Sequence, residues 1–199
     1  MTGKASANFR LRADARRNAE QIRRAAVDAF RGRGLTVPLE EVARSAGVSK
    51  ATIFNRFGGR LGLIEAVVED VVTTELSAII GRTRLVGDAG ERLEYYITAI
   101  RDLQYRQPAF VDVMLELYPD SPSLVEICRA GTEVNDELVA AAHAAGVLRP
   151  EFTVGDLYAL LHDNALALKH GTRPRRDDYD RRTTYLLEGI REGFPAGSR

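Results

Sequence analysis

Four polar side chains lie close together in a short stretch of this sequence: Lys50, Thr52, Asn55 and Arg56. On a short helix they would share the face that is left after the apolar residues are buried. An arginine can donate two bonds to guanine, an asparagine can pair with adenine through two bonds, and a threonine methyl can contact thymine. The stretch therefore has the chemistry needed to read base edges in the major groove of DNA.

The residues around this face have the spacing of a helix-turn-helix between Pro38 and Phe57. Ala43 is small where the two helices would cross, and Gly47 falls at the turn, where a positive φ is needed. Ile53 would fill the angle between the helices. Ser49 is a good N-cap for the second helix. The free backbone N–H groups at the N-terminus of that helix would suit a phosphate.

The charge of the chain is unevenly distributed although its formal net charge is zero. Residues 1–60 carry a net charge of +8, and residues 61–199 carry −8. A basic N-terminal third favours contact of that end with a polyanion, whereas the alternative interpretation is a chance distribution of surface charge. The basic residues at the start, Lys4, Arg10 and Arg12, could enter a minor groove or form a solvated terminus.

Helical periodicity runs through the whole sequence, and the alternating runs typical of strands are sparse. Gly and Pro breaks divide the chain into nine predicted helices, and Thr153 with Asp156 has the pattern of a capping box. We therefore predict an all-α fold with a flexible basic N-terminal arm (1–14), a three-helix helix-turn-helix domain (15–60) and a C-terminal helical bundle (61–199).

The run from Asn18 to Leu63 resembles the DNA-binding domain of the TetR family of bacterial transcriptional regulators. The resemblance rests on AAVDAFRGRG, PLEEVARSAGVSKATIFNRF and GGR, and it covers about a quarter of the chain. It implies a DNA-binding domain followed by a helical bundle that binds a small effector and forms the dimer.

The resemblance also implies which side chains contact DNA. Thr52 and the first turn of the recognition helix would touch the duplex, and a basic residue at the start of the fourth helix would contact phosphate. Basic residues near the start of the first helix would reach the backbone or the minor groove. The predicted DNA-binding residues are Arg16, Arg17, Ser49, Lys50, Thr52, Asn55, Arg56 and Arg60.

The sequence departs from the family pattern at four positions. Phe54 stands where a tyrosine is more usual, so a phosphate-binding hydroxyl is lost, and Arg56 replaces the more usual histidine. Leu61 replaces a common acidic residue, and Gly62 lies inside the predicted fourth helix.

The bundle contains candidates for an effector pocket and for a dimer interface, although each could also be ordinary core. The pocket candidates are Tyr95, Tyr96, Met114, Tyr118, Cys128, His162 and Asn164. The last two helices are the predicted interface, with apolar stripes formed by Leu157, Leu160, Leu161, Leu168, Tyr185, Leu186 and Ile190. A two-fold homodimer would place two recognition helices in successive major grooves.

Other classes of function lack their motifs. There is no Gly-rich phosphate loop, nucleophile elbow or His/Cys cluster with metal spacing, so we expect neither an enzyme nor a bound cofactor or metal. No apolar run approaches the roughly 20 residues that span a bilayer, and the single cysteine, Cys128, suits a reducing cytoplasm.

The sequence thus predicts a cytoplasmic, ligand-responsive repressor that binds a double-stranded palindromic operator as a homodimer and responds to an unidentified small molecule. The alternative is a constitutive regulator, or a redox-responsive one that uses Cys128.

Overall fold

The computed structural model describes residues 3–115 and 120–191, with side chains from residue 16 onward. The described part is helical apart from its loops and one isolated antiparallel bridge between Leu148 and Arg191, which confirms the all-α prediction. The helices are α1 (Gly3–Arg33), α2 (Leu39–Ser45), α3 (Lys50–Phe57), α4 (Arg60–Val68), α5 (Thr74–Leu85), α6 (Ala89–Arg106), α7 (Pro108–Leu115), α8 (Pro122–Ala144), α9 (Val154–His170) and α10 (Arg176–Ile190).

A π-helical turn, Glu69–Thr73, joins α4 to α5. Counted as one helical run, α4 to α5 brings the described residues to nine helices, the predicted number. In the π turn the Thr74 N–H donates to Glu69 O, and the side chain of Arg31 in α1 donates to the carbonyl oxygen of Asp70. The turn therefore lies where α1 packs against the connecting helix.

The first helix begins earlier than the sequence predicts. A flexible arm is expected over 1–14, whereas the backbone of α1 is helical from Gly3. The segment 4–31 contains neither Gly nor Pro, and its many Ala and Arg residues have high helix propensity. Nothing in this segment terminates a helix, so α1 continues through it.

One hydrophobic core extends from α1 to α9. Ile22, Ala26 and Phe30 of α1 are completely buried, and their spacing of four residues places them on one face of the helix. α4 packs against both α1 and α3. It therefore connects α3, the predicted recognition helix, to the bundle. The predicted capping box at the start of α9 is present, with Thr153 Oγ1 accepting from Asp156 N–H at 3.2 Å.

Two residues of the predicted dimer interface are core residues instead. Leu157 is completely buried and Leu161 is 3% exposed, because α9 packs against α6, α7 and α8 on that face. The large apolar side chains that α9 and α10 leave exposed are Tyr158, Leu166 and Tyr185. The helical period correctly identifies an apolar stripe on α9, but that stripe faces inward.

A buried carboxylate joins the N-terminal helices to the bundle. Asp112 of α7 is completely buried; it accepts the Leu35 N–H at 2.5 Å and forms an ion pair with Lys169 of α9. Gly34 has a φ of +89°, and a Cβ there would lie 2.3 Å from Asp112 Oδ2. The loop after α1 therefore needs glycine at this position to approach the carboxylate.

Replacing Asp112 with alanine should destabilise the protein by about 3 kcal/mol, because Lys169 and the Leu35 N–H lose their partner together. Asp112→Asn should cost less, since its amide oxygen can still accept the Leu35 N–H. The free energy of unfolding in urea, followed by circular dichroism, measures both. Asp136→Ala removes an exposed carboxylate and is the control; an equal loss in both alanine variants would contradict the structural role of Asp112.

Candidate functional site

The helix-turn-helix is formed as the spacing predicts. Gly47 has a φ of +65° at the turn, and the Val48 N–H donates to Ala43 O at 2.9 Å, which closes the turn. Ile53 is completely buried and Ala43 is 3% exposed. The two helices therefore cross closely, and the opposite face of α3 is left to solvent.

The N-terminus of α3 is capped by Ser49. Its Oγ accepts the Thr52 N–H at 3.1 Å and lies 2.9 Å from Thr52 Oγ1. Thr52 is half-buried, so its hydroxyl is held against the cap. The cap fixes the first turn of α3, the part of a recognition helix that reaches the bases first.

Three of the predicted reading side chains project from α3 into solvent: Lys50, Asn55 and Arg56 are all exposed. Lys50 pairs with Glu40 of α2 and, by donating a hydrogen bond to it, lowers the pKa of that carboxyl. Both partners are more than half exposed, and surface pairs of this kind are weak. Lys50 can therefore exchange Glu40 for another anion at little cost.

Arg60 has a partner that the sequence does not predict. Its Nη1 donates to Leu35 O at 2.6 Å, on the same residue whose N–H is held by Asp112. Arg60 is half-buried at the start of α4. One of its nitrogens thus anchors the loop after α1, and its remaining N–H groups are the ones left for a phosphate.

One of the departures from the family pattern, Gly62, has a structural explanation. A Cβ at Gly62 would lie 1.7 Å from Phe57 O, so glycine allows the end of α3 to pack directly on α4. Phe54 is 59% exposed, and its ring lies against the turn, with Cε2 3.1 Å from the position of a Cβ on Gly59.

The two predicted DNA-binding residues of α1, Arg16 and Arg17, are both exposed.

A cavity of about 240 Å³ lies among α5 to α9. Of the predicted pocket residues, it is lined by Tyr96, Met114 and Cys128. It is also lined by Asn135 and Tyr158, which the sequence reasoning missed. Cys128 and Asn135 are seven residues apart on α8, so they share one helix face, and extending the pattern from Cys128 would have found Asn135.

The other predicted pocket residues lie elsewhere. Asn164 donates to Gln104 Oε1 at 2.5 Å and to Tyr179 Oη at 2.8 Å, so it joins α9 to α6 and α10 as a structural residue. The His162 ring stacks on Tyr158, with centroids 5.5 Å apart, and neither His162 nor Tyr95 lines the cavity. Tyr118 lies outside the described residues.

Within residues 3–115 and 120–191, no cluster of three or more His, Cys, Asp or Glu side chains could hold a metal ion. None of the helices in the same ranges combines the length and apolarity that crossing a membrane requires.

The family model of the bacterial regulatory proteins, tetR family, matches residues 22–67. This range includes the second half of α1, the complete helix-turn-helix and most of α4. A search of curated proteins found no match.

Solved structures of regulators match almost the whole chain. A TetR transcription regulatory protein from Mycobacterium vanbaalenii is 28% identical, with 91% of this chain and 99% of that chain covered and a TM-score of 0.50. A TetR/AcrR-family regulator from Thermobifida fusca is 21% identical, with 90% and 98% covered and a TM-score of 0.63. FadR from Bacillus subtilis, solved in complex with stearoyl-CoA, is 15% identical, with 89% and 100% covered and a TM-score of 0.63.

The matched range coincides with the helices that present α3 to solvent, and the bundle behind them has the fold of the solved regulators. The chain therefore carries the DNA-binding domain of the TetR family of bacterial regulatory proteins and is a DNA-binding transcriptional regulator.

Proposed function

We propose that this regulator is a ligand-responsive repressor that binds a palindromic operator as a homodimer. The observation that carries the proposal is that one helix, α7, contacts both functional regions. Phe110 and Val113 of α7 line the cavity. Asp112 lies between them and accepts a hydrogen bond from the Leu35 N–H, beside the DNA-binding domain. A ligand that displaces α7 would therefore also displace the loop that positions α1 and α2.

On DNA, α3 would lie in the major groove. Asn55 and Arg56 would contact base edges, and Thr52 would contribute its methyl group. Ser49 and Lys50 at the helix N-terminus would hold a phosphate. Arg16, Arg17 and Arg60 would make further backbone contacts, which position the protein without reading sequence.

Two copies of α3 must lie about 34–36 Å apart to occupy successive major grooves, which a two-fold dimer achieves. We assign the interface to α9 and α10. Among the residues of α10, only Tyr179 and Thr183 are buried in the single chain, whereas Tyr185 is 61% exposed. Leu166 on α9 is 38% exposed, and Leu160, Leu168, Leu186 and Ile190 are half-buried.

Derepression then requires a ligand that binds one conformation better than the other. The ligand would stabilise a spacing of the two α3 helices that does not fit successive grooves. FadR, which has the same fold, has been solved with bound stearoyl-CoA, and this supports a ligand-binding role for the bundle. Cys128 is exposed, but partial burial of its thiol raises the thiol pKa, and this disfavours the alternative of a redox-responsive regulator because the thiolate is the reactive form.

Asn55→Ala and Arg56→Ala should each weaken specific operator binding by about 1–3 kcal/mol, because each removes a contact to a base edge. Fluorescence anisotropy with the operator selected from genomic DNA measures this loss. Arg82→Ala removes the same charge as Arg56→Ala from an exposed position on α5 and should leave binding almost unchanged. Equal affinities for all four proteins would show that α3 does not read the operator.

Leu166→Glu and Tyr185→Glu should weaken the dimer, since each places a charge in the proposed interface. Sedimentation equilibrium should then show monomer at concentrations where the unchanged protein is dimeric. Leu85→Glu alters a side chain that is 85% exposed at the end of α5 and serves as the control. A monomeric unchanged protein, or dimerisation insensitive to both α9 and α10 variants, would contradict this interface.

A further inference from the structure

The cavity among α5 to α9 has walls of a distinct chemical character. Most of its surface is apolar, and it is formed largely by the side chains of Leu76, Ile100, Phe110, Val113, Ile127 and Leu161. Each of these side chains is at least 90% buried. An apolar ligand of suitable shape would therefore replace water or empty space with van der Waals contacts.

Among the described residues that line the cavity, none is Lys, Arg, His, Asp or Glu. Burial raises the pKa of the Tyr96 hydroxyl and that of the Cys128 thiol, so both groups are neutral at neutral pH. A carboxylate or phosphate placed here would lose its hydration without gaining a counter-ion. The cavity therefore discriminates against anions and against cations alike.

The side-chain carbonyl oxygen of Asn135 in this wall lacks a hydrogen-bond donor. Asn135 of α8 is 7% exposed, and its Oδ1 is buried without a hydrogen-bond donor. Buried carbonyl oxygens are nearly always paired, since an unpaired one has lost its hydrogen bonds to water. Thr132, one turn earlier on the same wall, already donates its hydroxyl to Cys128 O at 3.1 Å. Asn135 Oδ1 is thus a buried, unpaired acceptor on a residue that lines the apolar cavity.

The volume restricts the size of that ligand. A dry cavity of about 150 Å³ holds benzene, so about 240 Å³ corresponds to roughly ten non-hydrogen atoms on the same scale. Tyr158, which is 55% exposed, lies at the edge of the cavity toward solvent.

From these observations we propose that the cavity takes a neutral alcohol or phenol of about ten non-hydrogen atoms, whose hydroxyl donates to Asn135 Oδ1. The apolar part of the ligand fills the cavity, and the hydroxyl satisfies the unpaired carbonyl oxygen of Asn135. This inference rests on the proposed ligand-responsive function and names the chemical class of the effector.

The test compares three probes of similar size on the full-length protein by isothermal titration calorimetry. 4-Butylphenol has the hydroxyl donor, its isomer 4-propylanisole has the same atoms without a donor, and 4-propylbenzoate carries a negative charge. The phenol should bind about tenfold more tightly than the anisole, because a site with a buried acceptor rejects the analogue that lacks the donor. The benzoate should bind more weakly than either.

Asn135→Leu is the matched variant. It removes the acceptor while keeping a side chain of similar volume, and the selectivity for phenol over anisole should fall to nearly one. The thermal midpoint should stay the same or rise, because Oδ1 has no partner to lose, so a loss of selectivity cannot be attributed to misfolding. Equal binding of the phenol and the anisole, tighter binding of the benzoate, selectivity that survives in Asn135→Leu, or binding of none of the probes would each overturn the assignment.

Operator release is measured separately, by anisotropy with the same probes. If the phenol binds through Asn135 but leaves the operator bound, the ligand class stands and the ligand-responsive function fails. If the benzoate releases the operator while the phenol does not, the function stands and the ligand class fails.

Discussion

The arrangement of the molecule depends on the hydrogen bonds of one buried carboxylate. Asp112 lies on α7 without any solvent exposure, and a carboxylate in that position is tolerated only when its charge and lone pairs are satisfied. Lys169 supplies the charge, and the Leu35 N–H supplies a donor from the loop after α1. Arg60 binds the carbonyl of the same residue. Leu35 is therefore held through its N–H by α7 and through its carbonyl by α4, so a rotation of α1 and its following loop on the bundle would break the Asp112 hydrogen bond.

The apolar cavity is a less completely packed region than the surroundings of Asp112. The cavity is partly open to solvent at Tyr158 and is lined mainly by apolar side chains, so its walls lack the contacts of a filled core at a cost in stability. α7 contributes both to the cavity wall and to the Asp112 contact, so the two features are next to each other in the bundle. A ligand offsets the cost when it binds, and the state that it stabilises is the one whose cavity fits it.

Short-range patterns in the sequence are sufficient to predict the helix-turn-helix. Ala43, Gly47 and Ile53 act within a few residues of each other, so their spacing alone predicts the turn. Longer-range features were not accessible: Asp112 and Leu35 are 77 residues apart, and no local pattern links them. The apolar stripe of α9 was predicted, but its direction was not, because periodicity identifies an apolar face without naming the helix that covers it.

The residues that line the cavity could likewise be predicted only in part from local sequence patterns. Cys128 could be selected from the sequence, while Asn135 was missed although it lies two turns later on the same face of α8. An asparagine within a helix is usually unremarkable, and only the burial of its unpaired oxygen distinguishes it. Gly62, in contrast, stands out in the sequence as a glycine within a predicted helix. The structure explains it, because the carbonyl oxygen of Phe57 approaches so closely that a Cβ would not fit.

The π turn between α4 and α5 has a mechanical consequence. A helix resists bending through its regular ladder of backbone hydrogen bonds, and this ladder changes register between Glu69 and Thr73, where the Thr74 N–H donates to Glu69 O. A carbonyl of the turn is bound by Arg31 of α1, and the buried Thr73 hydroxyl has no partner. We therefore expect any bend in the helix that joins α3 to the bundle to be centred at this turn, next to α1.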